Sequence, residues 1–338
     1  MFNNLTNFMF LLTLMLGSII SISSNSWLGA WMGLEINLLA FIPLLTNFKN
    51  LTSTESFTEM FIVQALASAT LLFTILLLSF SSNSMLFEFN TYLNIILNSS
   101  LLMKMGAAPF HSWFPEVMEG LTWITGFILM TWQKIAPMMI LSYCMSHMFI
   151  MFSIILSIFV GSIGGFNQTN LRSLMAYSSI NHLGWMLSSI LISLSHWLVY
   201  YIFYTIISLS IISMFYQFNI FYFNQVFSSM NQSPVIKFLM FCNLLSLGGL
   251  PPFTGFLPKW IIIQSLSSMN MFLMTTMVML TLITLFFYIR LTYSAFMIQS
   301  TQIMWNKMFH CNLTKMSILL NFFSSFGLIL ICFIYMIL

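Results

Sequence analysis

Eleven apolar stretches, each close to the length of a bilayer crossing, leave this chain little freedom in how it folds. They run near 3–23, 26–46, 57–80, 91–107, 121–143, 147–166, 171–193, 195–218, 236–267, 270–298 and 317–338. A helix needs about 20 apolar residues to span the hydrocarbon. A backbone there must satisfy its own hydrogen bonds, so only helices and closed barrels cross. The stretches are too long, and too uniformly apolar, for barrel strands, which alternate over about ten residues. The ninth exceeds one crossing and is interrupted. Only 4% of the 338 residues are charged, against about 25% in soluble domains, and the short connections leave no room for a water-soluble domain. The expected fold is an all-α polytopic membrane protein of about eleven transmembrane helices.

Against that background four charges stand out. Glu35 lies within SWLGAWMGLEINLLAFIPLL, Lys104 within LNSSLLMKMGAAPF, Lys134 within ITGFILMTWQKIAPMMI and Lys259 within GGLPPFTGFLPKWIII. A charge at such depth costs roughly 2.5 to 3.5 kcal/mol on insertion scales. Intramembrane ionisable residues mark ion or proton pathways by default, so these four are the candidate site. Lys134 is expected in mid-span, and a desolvated lysine exchanges its proton near neutral pH more readily than a solvated one. Glu35 is the one acid deep in a span and is expected to pair with Lys104, since either charge alone would be costly. Lys259 opens a half-helix, where the macrodipole disfavours a cation. The alternatives are a structural lysine at 134, a static ion pair at 35 and 104, and an interfacial, snorkelling Lys259.

The second feature is a repeat. Pro109-Phe-His-Ser-Trp-Phe-Pro115 matches Pro252-Phe-Thr-Gly-Phe-Leu-Pro258 at an offset of 143 residues. Each copy follows a run of small residues, Gly106-Ala-Ala108 or Gly248-Gly249, and proline ends a helix by removing a donor. Two broken helices, in spans 4 and 9, are therefore expected. Paired breaks in corresponding places are the mark of inverted-repeat transporters, with the ion site at the break. Spans 4 and 9 are an odd number of crossings apart, so the repeats are inverted. One membrane domain over 1–338 is expected, with N-terminal helices at 1–80, a first repeat at 91–218, a second at 195–298 overlapping it at span 8, and a last helix at 317–338.

Secondary features are weaker. His111 follows the first break, and His182 sits in AYSSINHLGW beside Ser178 and Ser179; all four are candidate proton relays or ordinary hydrogen-bonding groups. Gly29/Gly33 and Gly161/Gly165 are small-residue patches suited to close helix packing. Cysteines 144, 242, 311 and 332 lack metal or cluster spacing, the five histidines form no HxxxH pair, and no phosphate-binding glycine loop occurs. No metal or cofactor site is expected. Lys49, Arg172, Lys237, Lys307 and Lys315 fall beside connections on one side of the eleven-span topology. The positive-inside rule puts that side, with the N-terminus, at the matrix or cytoplasm and the C-terminus opposite. Arg290 is expected to snorkel to the same side. The start, MFNNLTNFMF, lacks the features of a cleaved signal or transit peptide. With 30 Met and 37 Phe, the composition fits an A+T-rich organellar gene.

These motifs together resemble one family. Asn25-Ser-Trp-Leu-Gly-Ala-Trp-Met-Gly-Leu-Glu35-Ile-Asn37, Lys104-Met-Gly-Ala-Ala-Pro-Phe-His-Ser-Trp113, Thr131-Trp-Gln-Lys134-Ile-Ala-Pro137 and Gly248-Gly-Leu-Pro-Pro-Phe-Thr-Gly-Phe-Leu-Pro-Lys259-Trp260 are similar to the mitochondrially encoded chain 2 family of NADH–ubiquinone oxidoreductase, respiratory complex I. That family belongs to the antiporter-like subunits, and the wording around Glu35 is insect-like. The resemblance covers nearly the whole chain. It implies a core membrane-arm subunit of a proton-translocating NADH:ubiquinone reductase, in which Glu35 and Lys104 are the acid and base of a pair. Lys134 would be the bridging lysine and Lys259 the lysine of the second broken helix. It further implies eleven helices where bacterial relatives have fourteen, and no redox catalysis in this chain. FMN, iron–sulfur clusters and ubiquinone would be used in or near other subunits. Partners would be other membrane-arm subunits, including neighbouring antiporter-like chains, and lipids, with no nucleic acid, in a hetero-oligomer of the mitochondrial inner membrane. A self-contained cation/proton antiporter and a purely structural membrane subunit are the competing readings.

Overall fold

A computed structural model of the chain describes residues 5–45, 51–81, 87–229, 234–297, 317 and 319–328. In chain order its helices are α1 (Leu5–Ser23), α2 (Trp27–Leu45), α3 (Leu51–Ser81), α4 (Phe87–Met105), α5 (Trp113–Gly120), α6 (Trp123–Met130), α7 (Trp132–Tyr143), α8 (His147–Gly164), α9 (Leu171–Ile192), α10 (Leu194–Phe218), α11 (Phe223–Ser229), α12 (Pro234–Gly248), α13 (Phe256–Met269) and α14 (Met271–Met297). A short apolar helix, Leu319–Leu328, follows. No strand occurs among the described residues beyond one isolated bridge, Asn170 to Tyr222. The chain is an all-helical membrane protein. Seven segments are long and apolar enough to cross: α1, α2, α3, α6 with α7, α8, α10 and α14. The other expected stretches are also helical, but shorter or more polar. Lys49, Lys307, Lys315, His310, Cys311 and Cys332 lie outside the described residues, as do positions 329–338.

Contacts divide the chain into two units, Met1–Leu156 and Ser157–Leu338. In the first, α1 packs along α2, α3 carries α4 and α5, and α7 touches α1, α2 and α4. The close approach of α1 and α2 depends on glycine: a Cβ on Gly33 would lie 2.5 Å from the Ser21 amide nitrogen. This is small-residue packing of the kind membrane helices favour. In the second unit α9 packs on α10 and α13, α10 on α12 and α13, and α14 on α12 and α13. Helix α9 is buried nearly all round although it holds Ser178, Ser179, Asn181 and His182. Its polar groups face protein rather than lipid, which is why it falls short on mean hydropathy.

The two Pro-Phe copies share a backbone structure. Helix α4 stops where Gly106 turns left-handed (φ +71°); Gly106 N–H donates to Met103 O (3.3 Å) and Ala107 N–H to Leu102 O (3.1 Å). This pair of bonds is the Schellman stop, for which glycine carries no Cβ penalty. Helix α12 stops alike at Gly249 (φ +86°), with Gly249 N–H on Ser246 O (3.0 Å) and Leu250 N–H on Leu245 O (3.4 Å). Two further bonds follow in each copy: Phe110 to Ala107 and Phe114 to His111, then Phe253 to Leu250 and Leu257 to Thr254. Every member of one set lies 143 residues from its counterpart, so the sequence repeat is also a repeat of hydrogen bonds.

One interruption lies where none is expected. The stretch 121–143 is not a single helix: α6 ends at Met130 and α7 starts at Trp132, with Thr131 between them. The Thr131 hydroxyl turns back onto Phe127 O (2.7 Å). Pro137, inside α7, has no N–H to offer the carbonyl of Gln133.

Candidate functional site

Lys134 is only 1% exposed. It lies midway along the span Trp123–Tyr143, as expected, and is the third residue of α7, directly after the Thr131 interruption. Its ammonium lies 5.2 Å from the centre of the Phe114 ring, which belongs to the start of α5, just beyond the first Schellman stop. Lys104 is 6% exposed and occupies the last turn of α4, where the macrodipole favours a cation. Gln64 of α3 donates to the Lys104 carbonyl (3.1 Å), and the Trp113 indole donates to Met103 O (3.2 Å). The orphan carbonyls of the α4 end are thereby partly met by side chains.

Lys104 and Lys134 line one cavity, together with Asn37, Gln64, Gln133 and Phe114 among others. Gln133 and Asn37 are joined by a hydrogen bond (3.0 Å). The cavity offers about 20 Å³ to water centres, enough for a water or two where polar partners are present. Asn37, Gln64 and Gln133 do not stand out in the sequence as site residues, although each is the one amide side chain of its helix.

Glu35 behaves differently from expectation. It is the charge that acts on Lys104 electrostatically, but among the described residues no direct ion pair joins the two, and the side chain is half-buried. Neighbouring Met32, Ile36 and Leu39 are exposed, at 56%, 37% and 61%, so Glu35 sits at the edge between α2's inner face and its outer one. Leu34 and Asn37 reach the cavity instead. His111 lies in the first interruption, where its Nδ1 is 3.2 Å from Pro109 O; it is part-exposed and does not line the cavity.

In the second unit Lys259 is 6% exposed and is the fourth residue of α13. Its ammonium donates to Gly248 O (2.8 Å) and Leu247 O (3.3 Å), the last carbonyls of α12. Lys259 stands in the first turn of α13, as expected, where that helix's dipole disfavours a cation, while its ammonium also meets the negative end of α12, which favours one. A Cβ on Gly249 would lie 2.9 Å from Lys259 Cδ, so glycine also makes room for the lysine. Trp185 of α9 lies with its ring 5.9 Å from the ammonium. Also on α9, Ser178 and Ser179 bond the carbonyls of Met175 and Ala176. His182 Nδ1 lies 2.7 Å from the Tyr200 hydroxyl. The structure thus brings Lys104 to Lys134 in the first unit, and in the second sets His182 and the two serines along α9, which packs on Lys259's helix.

The chain as a whole has relatives. Residues 24–284 match the family model described as NADH:quinone oxidoreductase/Mrp antiporter, TM. NADH-ubiquinone oxidoreductase chain 2 of Anopheles gambiae is 54% identical over 337 residues, covering 98% of this chain and 99% of that protein. Its counterpart in Aedes aegypti is 52% identical, covering 99% of each. Among solved structures, a chain of respiratory complex I from Thermus thermophilus shares the fold with a TM-score of 0.79 at 21% identity, over 86% of this chain and 71% of that one. The chain belongs to the NADH:quinone oxidoreductase/Mrp antiporter transmembrane family, in its NADH-ubiquinone oxidoreductase chain 2 branch.

Proposed function

We propose that this chain is a core membrane-arm subunit of a proton-pumping NADH:ubiquinone oxidoreductase, and that protons pass along Glu35, Lys104, Lys134 and Lys259 while redox chemistry occurs in other subunits. The observation that carries the reading is the cavity shared by Lys104 and Lys134, which three amide side chains also line. Two buried amines with amide neighbours and room for water can hand a proton on through hydrogen-bonded steps, whereas a dry apolar core cannot. Like charges side by side disfavour double protonation, so a proton on one amine favours release from the other. The placement of Glu35 suits a modulating charge at the entry to this pair. His182, Ser178 and Ser179 serve as relays toward Lys259; His111, outside the cavity, is the weakest member of the set.

The same reading treats α4 with α5 and α12 with α13 as two broken spans of inverted repeats. The shared hydrogen-bond pattern supports it. With α9, the last helix and the seven long apolar segments, this makes eleven crossings of one domain. The chain binds no FMN, iron–sulfur cluster or ubiquinone, which other subunits handle. It sits among membrane-arm subunits, other antiporter-like chains and lipid in the mitochondrial inner membrane, with its N-terminus on the matrix side and its C-terminus facing the intermembrane space.

A structure of the assembled complex that resolves waters tests the path. Ordered waters bridging Lys104, the amides of Asn37, Gln64 and Gln133, and Lys134 are expected; a dry gap between the amines overturns it. The Mrp-like family match favours one alternative, a self-contained antiporter, in which case the chain would purify and exchange cations alone.

A further inference from the structure

We propose that Ser324 of the last helix splints the second helix interruption by tying Asn243 of α12 to Thr254 of the turn that follows, and that it thereby positions the Lys259 ammonium on the α12 carbonyls. The assignment rests on the proton-path reading above, in which Lys259 carries protons, and adds to it a neutral residue of a helix that the path does not use.

Two bonds meet at Ser324. Its hydroxyl donates to the side-chain carbonyl of Asn243, and its backbone carbonyl accepts from the Thr254 hydroxyl at 2.8 Å. Asn243 in turn donates through its amide nitrogen to Asn321, three residues before Ser324 on the same helix. Ser324, Asn243 and Asn321 are fully buried, and Thr254 is 1% exposed. The approach is close enough to require glycine: a Cβ on Gly327 would lie 2.6 Å from Thr254 Cγ2. Enclosed by protein, such bonds are electrostatically stronger than in water.

Asn243 and Thr254 stand on opposite sides of the interruption. Asn243 lies one turn before Leu247, whose carbonyl accepts from the Lys259 ammonium together with that of Gly248. Thr254 lies in the turn that leads into α13, and its own carbonyl accepts from Leu257 N–H (3.3 Å). The lysine thus reaches back across the turn to the end of the preceding helix, and its fit depends on how the two sides are held. Non-helical backbone at membrane depth is tolerated where neighbouring protein encloses it, and here the last helix does so. At the matching place of the first interruption, 143 residues earlier, stands His111. Its Nδ1 lies 3.2 Å from Pro109 O, within its own turn. The carbonyl there that matches Leu247 is that of Lys104, which accepts from the neutral amide of Gln64 (3.1 Å). Among the described residues, the splint goes with the interruption whose carbonyls hold an ammonium.

The test is Thr254→Val in the assembled complex, which keeps the shape of the side chain and removes the hydroxyl. Thr254→Ser restores that hydroxyl, and Ser324→Ala cuts the other bond. Thr276→Val serves as the control, since that hydroxyl turns back onto Leu273 O of its own helix (2.9 Å). NADH oxidation by a water-soluble acceptor should be normal throughout. Thr254→Val and Ser324→Ala should pump fewer protons per electron pair, while Thr254→Ser and Thr276→Val keep the wild-type ratio. A wild-type ratio in Thr254→Val or Ser324→Ala overturns the assignment, even where less complex assembles, because that marks a tie that only stabilises. An equal loss in Thr254→Ser also overturns it, since the hydroxyl is then not the cause. Lys259→Met is run in parallel to separate the two claims. If it abolishes pumping while Thr254→Val does not, the proton-path reading stands and the splint falls; if neither changes pumping, the path through Lys259 fails and the splint falls with it.

Discussion

Two adjacent glycines at the second interruption should respond in opposite ways to the same change. Gly248 ends α12, and a Cβ there would meet nothing closer than the Tyr288 ring at 3.4 Å. Gly248→Ala is therefore ordinary helix chemistry, neutral or stabilising by up to about 1 kcal/mol. Gly249 has φ +86°, a conformation that costs an L-residue about 1–2 kcal/mol. Its new methyl would also lie 2.9 Å from Lys259 Cδ and 3.0 Å from Nζ. The ammonium must then leave the carbonyls of Leu247 and Gly248, and hydrogen bonds to charged groups contribute about 1.5–3 kcal/mol. Gly249→Ala should thus cost about 2.5–5 kcal/mol in all, and should disturb the one lysine of the second unit that the proposed path uses. Thermal inactivation of the purified complex and its proton-to-electron ratio measure both effects. Gly249→Ala should lower both, and Gly248→Ala neither. Equal behaviour of the two variants would refute the argument from backbone conformation and close approach.

Other consequences follow from single contacts. Asn243→Leu removes the acceptor of the Ser324 hydroxyl and the donor to Asn321, all fully buried; a cost of about 1–3 kcal/mol should appear as less assembled complex on native gels. Gly33→Ala drives a Cβ to 2.5 Å from a backbone nitrogen of α1, so it should lower assembly far more than Gly165→Ala, where the nearest atoms are 3.3 Å away on a side chain. Labels placed within 299–316 should react from the matrix side of intact mitoplasts only, as the charge distribution of the connections requires.

Much of the architecture is legible in the residues. The apolar stretches mark the helices because lipid leaves the backbone no other partner, and the two Pro-Phe copies mark where α4 and α12 stop because glycine and proline act locally. The rest needs three dimensions. Thr131 breaks its stretch with only a nearby proline as signal, and periodicity averages over such a change. The Lys259 ammonium finds the end of α12 because the turn at 249–255 brings it back there, and no spacing rule encodes that geometry. Glu35 is expected to touch Lys104 because both are deep in apolar sequence. Helix rotation decides otherwise, since it leaves Met32, Ile36 and Leu39 outward and carries Glu35 to the boundary. The amides of Asn37, Gln64 and Gln133 are conspicuous once their helices are assembled, but singly they read as tolerated polar residues.

The central claim, that buried amines carry protons, is tested most directly by pumping in a complex bearing Lys134→Met. Methionine fills similar volume without a titratable group, and a volume-conserving change in a packed interior costs little, so the complex should still assemble. Measured as protons translocated per electron pair in sealed vesicles, pumping should be lost and coupled NADH oxidation should slow with it. An assembled Lys134→Met complex that pumps at the wild-type ratio and rate would contradict the account and leave Lys134 a structural residue.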